Sequence, residues 1–160
     1  AKMLNDITTD ASGALYAADT DGNIIYKYAN GIVSPFVTSD LSGPNGLLAE
    51  EGRMLVASQV ACDFRTIGIP GLDQTIIADS MGHADGVVFT GEEGYYLVSD
   101  WNGLVTVINP DNSKGVILNT TATEINAADI WYIEELKLLL VPTFFKNNVM
   151  AYTLEQDVKE

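Results

Sequence analysis

One phrase recurs four times in this 160-residue chain, at Asn5, Asn45, Asp85 and Asp129, spaced by 40, 40 and 44 residues. Each copy runs from a short amide or carboxylate into an apolar run, then an acidic turn, then a second strongly apolar run. The first is Asn5-Asp6-Ile7-Thr8-Thr9 into Ala14-Leu15-Tyr16-Ala17-Ala18, and the second is Asn45-Gly46-Leu47-Leu48-Ala49 into Met54-Leu55-Val56-Ala57-Ser58. The third and fourth are Asp85-Gly86-Val87-Val88-Phe89 into Tyr96-Leu97-Val98-Ser99 and Asp129-Ile130-Trp131-Tyr132-Ile133 into Leu138-Leu139-Leu140-Val141. Short strands repeated at this period predict an all-β chain built as a β-propeller, with one blade of about four strands per repeat.

A propeller superposes equivalent positions around its axis, so the residues that open the innermost strand of each blade converge. Here they are Asn5, Asn45, Asp85 and Asp129, all oxygen donors. Such a ring suits a cation or a polar ligand. A second explanation stands beside it: Asn and Asp favour strand openings because they bond to their own backbone.

The remaining strands follow from the turn chemistry. Thr20-Asp21-Gly22-Asn23 turns into Ile24–Tyr28, and Asn30-Gly31 turns into Ile32–Val37. The second unit adds strands near 64–68 and 74–78, and the third adds 104–108 and 115–118 across an Asn109-Pro110-Asp111-Asn112 turn. The fourth continues only through Val149–Leu154, one strand short. Units of about 1–40, 41–80, 81–122 and 123–160 therefore form a single domain. The open last blade leaves Val149, Ala151 and Tyr152 on an unpaired edge, which predicts a homodimer or a partner that supplies the missing strands.

Charge and composition exclude several roles. With 22 acidic against 8 basic residues the net charge is −14, which disfavours a phosphate backbone as ligand. The longest apolar run, Leu136 to Phe145, is interrupted by Lys137, Pro142 and Thr143 and is too short for a membrane span. Cys62 stands alone, so no internal disulfide is expected, and Asn119-Thr120-Thr121 is a formal glycosylation triplet. The opening Ala1-Lys2-Met3-Leu4 carries no signal-peptide pattern, and the compartment stays open between the cytoplasm and secretion with the signal removed. His83, two residues before Asp85, is a candidate base or substrate donor. Asp19, Ser58 with Gln59, and Asp100 with Trp101 end second strands near the channel mouth. No nucleophile motif, phosphate-binding glycine loop or Cys/His zinc cluster occurs.

The ordered openers Asn5-Asp6, Pro44-Asn45-Gly46 and Ala84-Asp85-Gly86 resemble those of the regucalcin and gluconolactonase family (SMP-30/gluconolactonase-like) of six-bladed propellers. The stretch from Ala127 through Pro142-Thr143-Phe144 to Tyr152 is similar to the C-terminal end of bacterial members. The resemblance implies an axial divalent cation, calcium or zinc, with Asn45 and Asp85 as metal ligands and Asp85 as general base. It also implies Asn5 holding a lactone or ester substrate or completing the shell; His83, by its place two residues before Asp85, is a candidate substrate contact, and Asp129, as the fourth opener of the ring, a possible further axis ligand. The family's first two blades and their Glu ligand have no counterpart here, and Lys2, Met3 and Leu4 stand where an Arg is common. The chain thus corresponds either to the last four blades of a six-bladed type or to a shortened relative. Two functions stand: a metal-dependent lactone hydrolase, or a propeller that binds a ligand or protein, or oligomerises, without catalysis.

Overall fold

The computed structural model describes residues 1–155. They form four antiparallel sheets, each a blade. Blade 1 holds β1 (Leu4–Thr9), β2 (Leu15–Asp19), β3 (Ile24–Ala29) and β4 (Ile32–Val37). Blade 2 holds β5 (Pro44–Glu50), β6 (Arg53–Ser58), β7 (Asp63–Gly68) and β8 (Gln74–Ala78), and blade 3 holds β9 (Ala84–Phe89), β10 (Tyr96–Asp100), β11 (Leu104–Ile108) and β12 (Lys114–Asn119). Blade 4 has three strands: β13 (Trp131–Ile133), β14 (Leu138–Pro142) and β15 (Val149–Thr153). In every blade the strands pair in chain order, as consecutive hairpins require. The last five positions of the fourth predicted unit lie outside the described residues.

The register explains the recurrent phrase. The Leu4↔Asp19 pair is followed by Ile7↔Ala17, so Asn5-Asp6 forms a bulge in β1. Asn45-Gly46 bulges β5 between Pro44↔Ser58 and Leu47↔Val56, and Asp85-Gly86 bulges β9 between Ala84↔Asp100 and Val87↔Val98. A bulge bends the strand and re-aims a side chain, and here it does so at the same height in three blades. In the fourth blade a strand expected from Asp129 begins at Trp131 instead: the ladder with β14 starts at Trp131↔Leu140, and the Ile130 N–H is taken by the Asp129 carboxylate at 3.0 Å.

Alternation then assigns the faces. Tyr16, Ala18, Ile25 and Val37 of blade 1 meet Leu47, Met54, Val56 and Ile67 of blade 2 in one core layer. Leu55, Ala57 and Phe64 meet Val87, Tyr96, Val98 and Ile108 in the next. Val88, Leu97 and Val105 meet Ile130, Leu139 and Val141 in the third. Blades 2 and 3 each bury one face against their predecessor and the other against their successor, so the four blades give three filled layers.

The inner strands approach closely enough that two glycines are required. A Cβ at Gly46 would fall on the Asp85 carbonyl oxygen, and one at Gly86 would fall on Asp129 Oδ1 and the Ile130 nitrogen. Each bulge glycine thus seats the opening acid of the following blade.

Candidate functional site

Asp6, Asp85 and Asp129 come from three inner strands or their entries and share one electrostatic neighbourhood. Burial, more than any other cause, raises the Asp85 carboxyl from its ordinary 3.8 to about 7, with the charges of Asp129, Asp6 and Asp100 adding to it and a hydrogen bond from the Asn45 side chain opposing it. Burial likewise raises Asp6 to about 6, with the Asp129 charge adding, while the Leu47 N–H, which donates to Asp6 Oδ2 at 2.6 Å, pulls it back. Asp129 exposes surface to the open mouth, yet protein surrounds it closely enough that desolvation raises its carboxyl as well, against the Ile130 N–H. Three carboxylates whose charged forms are all disfavoured, without a protein cation among the causes, make an electronegative site.

Asn45 is 3 % exposed and Asp85 is 8 % exposed, so both openers are held by the protein. Asn45 Nδ2 also donates to Gln59 Oε1 at 3.1 Å, which fixes the amide. Asn5 is placed differently: its side chain is exposed and donates to Thr20 Oγ1 at 3.3 Å. Asp6, the next residue, joins the acids instead. The signal for it was the Asn5-Asp6 pair itself, because a bulge presents two adjacent side chains where regular alternation presents one. His83 lies exposed at the mouth, held by its backbone: its N–H donates to Asp100 Oδ1 at 3.1 Å and its carbonyl accepts from Trp101 N–H at 3.0 Å.

The strand-end acids are anchors for the backbone. Asp19 accepts from the N–H groups of Lys2, Met3 and Gly22, which lowers its pKa, Met3 having the largest effect. Asp100 accepts from His83 and Asn102 N–H. By register the equivalent of Asp19 and Asp100 in blade 2 is Ser58, fully buried, and its Oγ has no hydrogen-bond partner among the described residues. Ser99 relays between blades: it accepts from Gly86 N–H at 2.8 Å and donates to the Ala128 carbonyl at 2.8 Å, which ties the openings of blades 3 and 4 together.

An aromatic cluster forms around Trp101, the residue after Asp100. Trp101 packs edge-on to Phe144 at 4.7 Å and Phe145 at 6.0 Å between ring centroids, and both phenylalanines are largely exposed. Phe144 has a positive φ of 46°, a conformation disfavoured for a bulky residue, and the turn carrying it is closed by paired hydrogen bonds between Thr143 and Asn148. Periodicity gave no sign of this cluster, because it belongs to a turn and not to a strand.

The chemistry of the set suits a hard divalent cation: carboxylate and amide oxygens from Asp6, Asp85, Asp129 and Asn45. The number is short of a full shell. No three acid, His or Cys side chains gather closely enough to hold an ion among the described residues. Oxygen donors without an adjacent imidazole or thiolate fit calcium better than zinc.

No family model and no curated protein matches the sequence. Solved structures do match it in shape. A chain of the nidogen/laminin complex superposes with a TM-score of 0.81 at 12 % identity, covering 95 % of this chain and 61 % of that one. An inactive variant of virginiamycin B lyase from Staphylococcus aureus, crystallised with quinupristin, gives 0.78 at 13 %, covering 96 % and 53 %. A candidate gluconolactonase gives 0.80 at 17 % identity, covering 96 % and 60 %. These likenesses establish the β-propeller fold, and this chain spans between about half and three fifths of the length of those structures.

Proposed function

We propose that the chain carries the axial site of a cation-assisted hydrolase that opens a lactone or a related ester, with Asp85 as general base and Asn45, Asp85 and Asp129 toward the cation. The observation that supports this most is the Asp85 carboxyl, raised to about 7 by burial first and then by the charges of Asp129, Asp6 and Asp100. A base poised near neutral pH combines adequate ionisation with adequate basicity. A divalent cation, when bound, supplies a Lewis acid for the carbonyl and neutralises the crowded acids.

The protein's own part is definable atom by atom. Asp85, ionised, takes a proton from water as the water oxygen bonds to the acyl carbon. The ring C–O bond then breaks, and the leaving alkoxide recovers that proton. Asn45, fixed by Gln59, donates toward Asp85 and orients it. Asp6 keeps one oxygen on Leu47 N–H, which makes it a field-setting acid more than a proton acceptor. The exposed rings of Phe144 and Phe145 offer an apolar wall to the substrate beside the mouth.

The test is release of acid from simple aliphatic and sugar lactones, followed at constant pH with and without millimolar calcium. Calcium-stimulated hydrolysis lost in Asp85→Asn supports the proposal. A rate at the uncatalysed level under all conditions favours the second reading, a ligand-binding propeller without catalysis, toward which the prior commitment of Asn45 to Gln59 and Asp6 to Leu47 already points.

A further inference from the structure

Blades 2 and 3 form a hollow of about 480 Å³ between them, away from the acids. The openers pair at one end of the inner hairpins, Pro44↔Ser58 and Ala84↔Asp100, whereas Glu50↔Arg53 and Phe89↔Tyr96 pair toward the other. Arg53, Tyr96 and the β9–β10 and β11–β12 turns place the hollow at that other end. Both walls belong to blades that pack on a neighbour at either side, so the hollow is interior to the row of blades.

Its floor is apolar and its edge is charged. Ile77 and Ile108 lie with the Tyr96 ring in the core layer between the two blades. Arg53 stands on blade 2 and Glu93 on the β9–β10 turn of blade 3, one charge of each sign on facing blades. The guanidinium is held without being used up. Its Nε donates to Glu50 Oε2 at 2.8 Å and its Nη2 donates to the Tyr96 hydroxyl at 2.8 Å, while that hydroxyl donates to Glu50 Oε1 at 2.7 Å. Nη1 has no hydrogen-bond partner among the described residues, and the side chain is 43 % exposed. A guanidinium fixed through two nitrogens offers the third in a set geometry, which suits a carboxylate. By register the place of Arg53 is taken by Ala14 in blade 1 and Tyr95 in blade 3, so this cation is not a requirement of the repeat.

Charge narrows the ligand. The net charge of −14 opposes the approach of an anion, whereas a net-neutral molecule carrying both charges meets no such opposition. Glu93 is exposed and makes no hydrogen bond among the described residues, which leaves it open to a cation. We propose that this hollow binds a free α-amino acid with an apolar side chain. Its carboxylate sits on Arg53 Nη1, its ammonium faces Glu93, and its side chain lies over Ile77 and Ile108. The volume is within the usual range for small-molecule sites. The site is separate from the acids and stands whether or not they hydrolyse a lactone.

Magnetic resonance titration of the isotope-labelled full chain with L-leucine at neutral pH tests this. The expected result is a saturable shift of the Gly94 and Asn112 amides, with a Kd on the order of 1 mM for so small a ligand, and no movement of the Gly46 and Gly86 amides. Isoamylamine, which lacks the carboxylate, and isocaproate, which lacks the ammonium, bind at least about tenfold more weakly, as does leucine to Glu93→Gln. Arg53→Lys keeps the charge, loses the fork and weakens leucine similarly. Glu93→Lys exchanges the preference, losing leucine and gaining isocaproate. The Glu93 variants alter an exposed, unbonded side chain, so they remain decisive if Arg53→Lys fails to fold. The proposal is overturned if leucine, methionine and phenylalanine all give no saturable shift. It is also overturned if isocaproate binds as tightly as leucine, which would make the hollow a plain carboxylate site, or if Glu93→Gln leaves leucine binding unchanged.

Discussion

Replacing Asp85 by Asn is expected to stabilise the protein at high pH and to change little at low pH. Moving a carboxyl from 3.8 to about 7 corresponds to a few kcal/mol, of order 4, of preference for its protonated form in the folded state. Below about pH 4 both folded and unfolded chains hold the proton and that stabilising preference is fully present. As pH rises from 4 toward 7 the unfolded chain releases the proton first, so stability falls, and the loss is complete above the folded value. Asn has the same shape and no charge to bury. Allowing for coupling to Asp129 and Asp6, which share the titration, the expected gain for Asp85→Asn is about 2–3 kcal/mol at pH 8 and under about 1 kcal/mol at pH 4. The anchoring carboxylates do not obscure this window: Asp10, Asp19 and Asp111 are lowered, chiefly by hydrogen bonds from Ser12, Met3 and Ser113, and their stabilising effect disappears only as pH falls below about 4. Urea unfolding at pH 4, 6, 7 and 8, comparing midpoints at constant slope, measures it. Equal destabilisation of the variant at every pH would show that Asp85 is held by favourable bonds and would refute the reasoning.

Other consequences of the geometry are open to measurement. Gly86→Ala places a methyl on Asp129 Oδ1 and the Ile130 nitrogen, and is expected to cost about 1–3 kcal/mol in the same unfolding assay. Asp100→Ala strands the His83 and Asn102 N–H groups and should cost a similar amount, about 1–3 kcal/mol, with faster amide exchange at His83. Tyr96→Phe removes the hydroxyl that donates to Glu50 at 2.7 Å and accepts from Arg53 at 2.8 Å, so a loss near 1 kcal/mol is expected. The wild-type phenol titrates near pH 12, raised mainly by burial and then by Glu50, and spectrophotometric titration verifies that value directly.

The fold was legible because it is periodic. Strand alternation and the 40-residue repeat fix both the blade and the face each residue takes, so that Leu47, Val87 and their neighbours fall in core layers as the pattern requires. The three strands that the last blade holds among the described residues were legible too. What periodicity could not supply was the outcome at irregular places. Asp6 enters the acid group because a bulge displaces Asn5, and the strand expected at Asp129 starts two residues later, where the ladder begins at Trp131↔Leu140. Ser58 ends up buried and unpartnered where the register elsewhere has Asp. The Phe144–Phe145 cluster depends on a left-handed turn that no hydrophobic pattern encodes. Asn45 and Asp85 do meet, but whether they work as ligands is a matter of charge and water, which residue spacing does not determine.

Calorimetric titration of calcium into the purified chain at pH 7, in two buffers of different ionisation enthalpy, tests the axial site most directly. Saturable binding is expected, weak and on the order of 0.1–1 mM for an incomplete oxygen shell, with a buffer-dependent heat that reports protons displaced from the raised carboxyls. Asp85→Asn should remove both the binding and the proton release. The absence of saturable heat in the wild type, or binding that Asp85→Asn leaves unchanged, would contradict it.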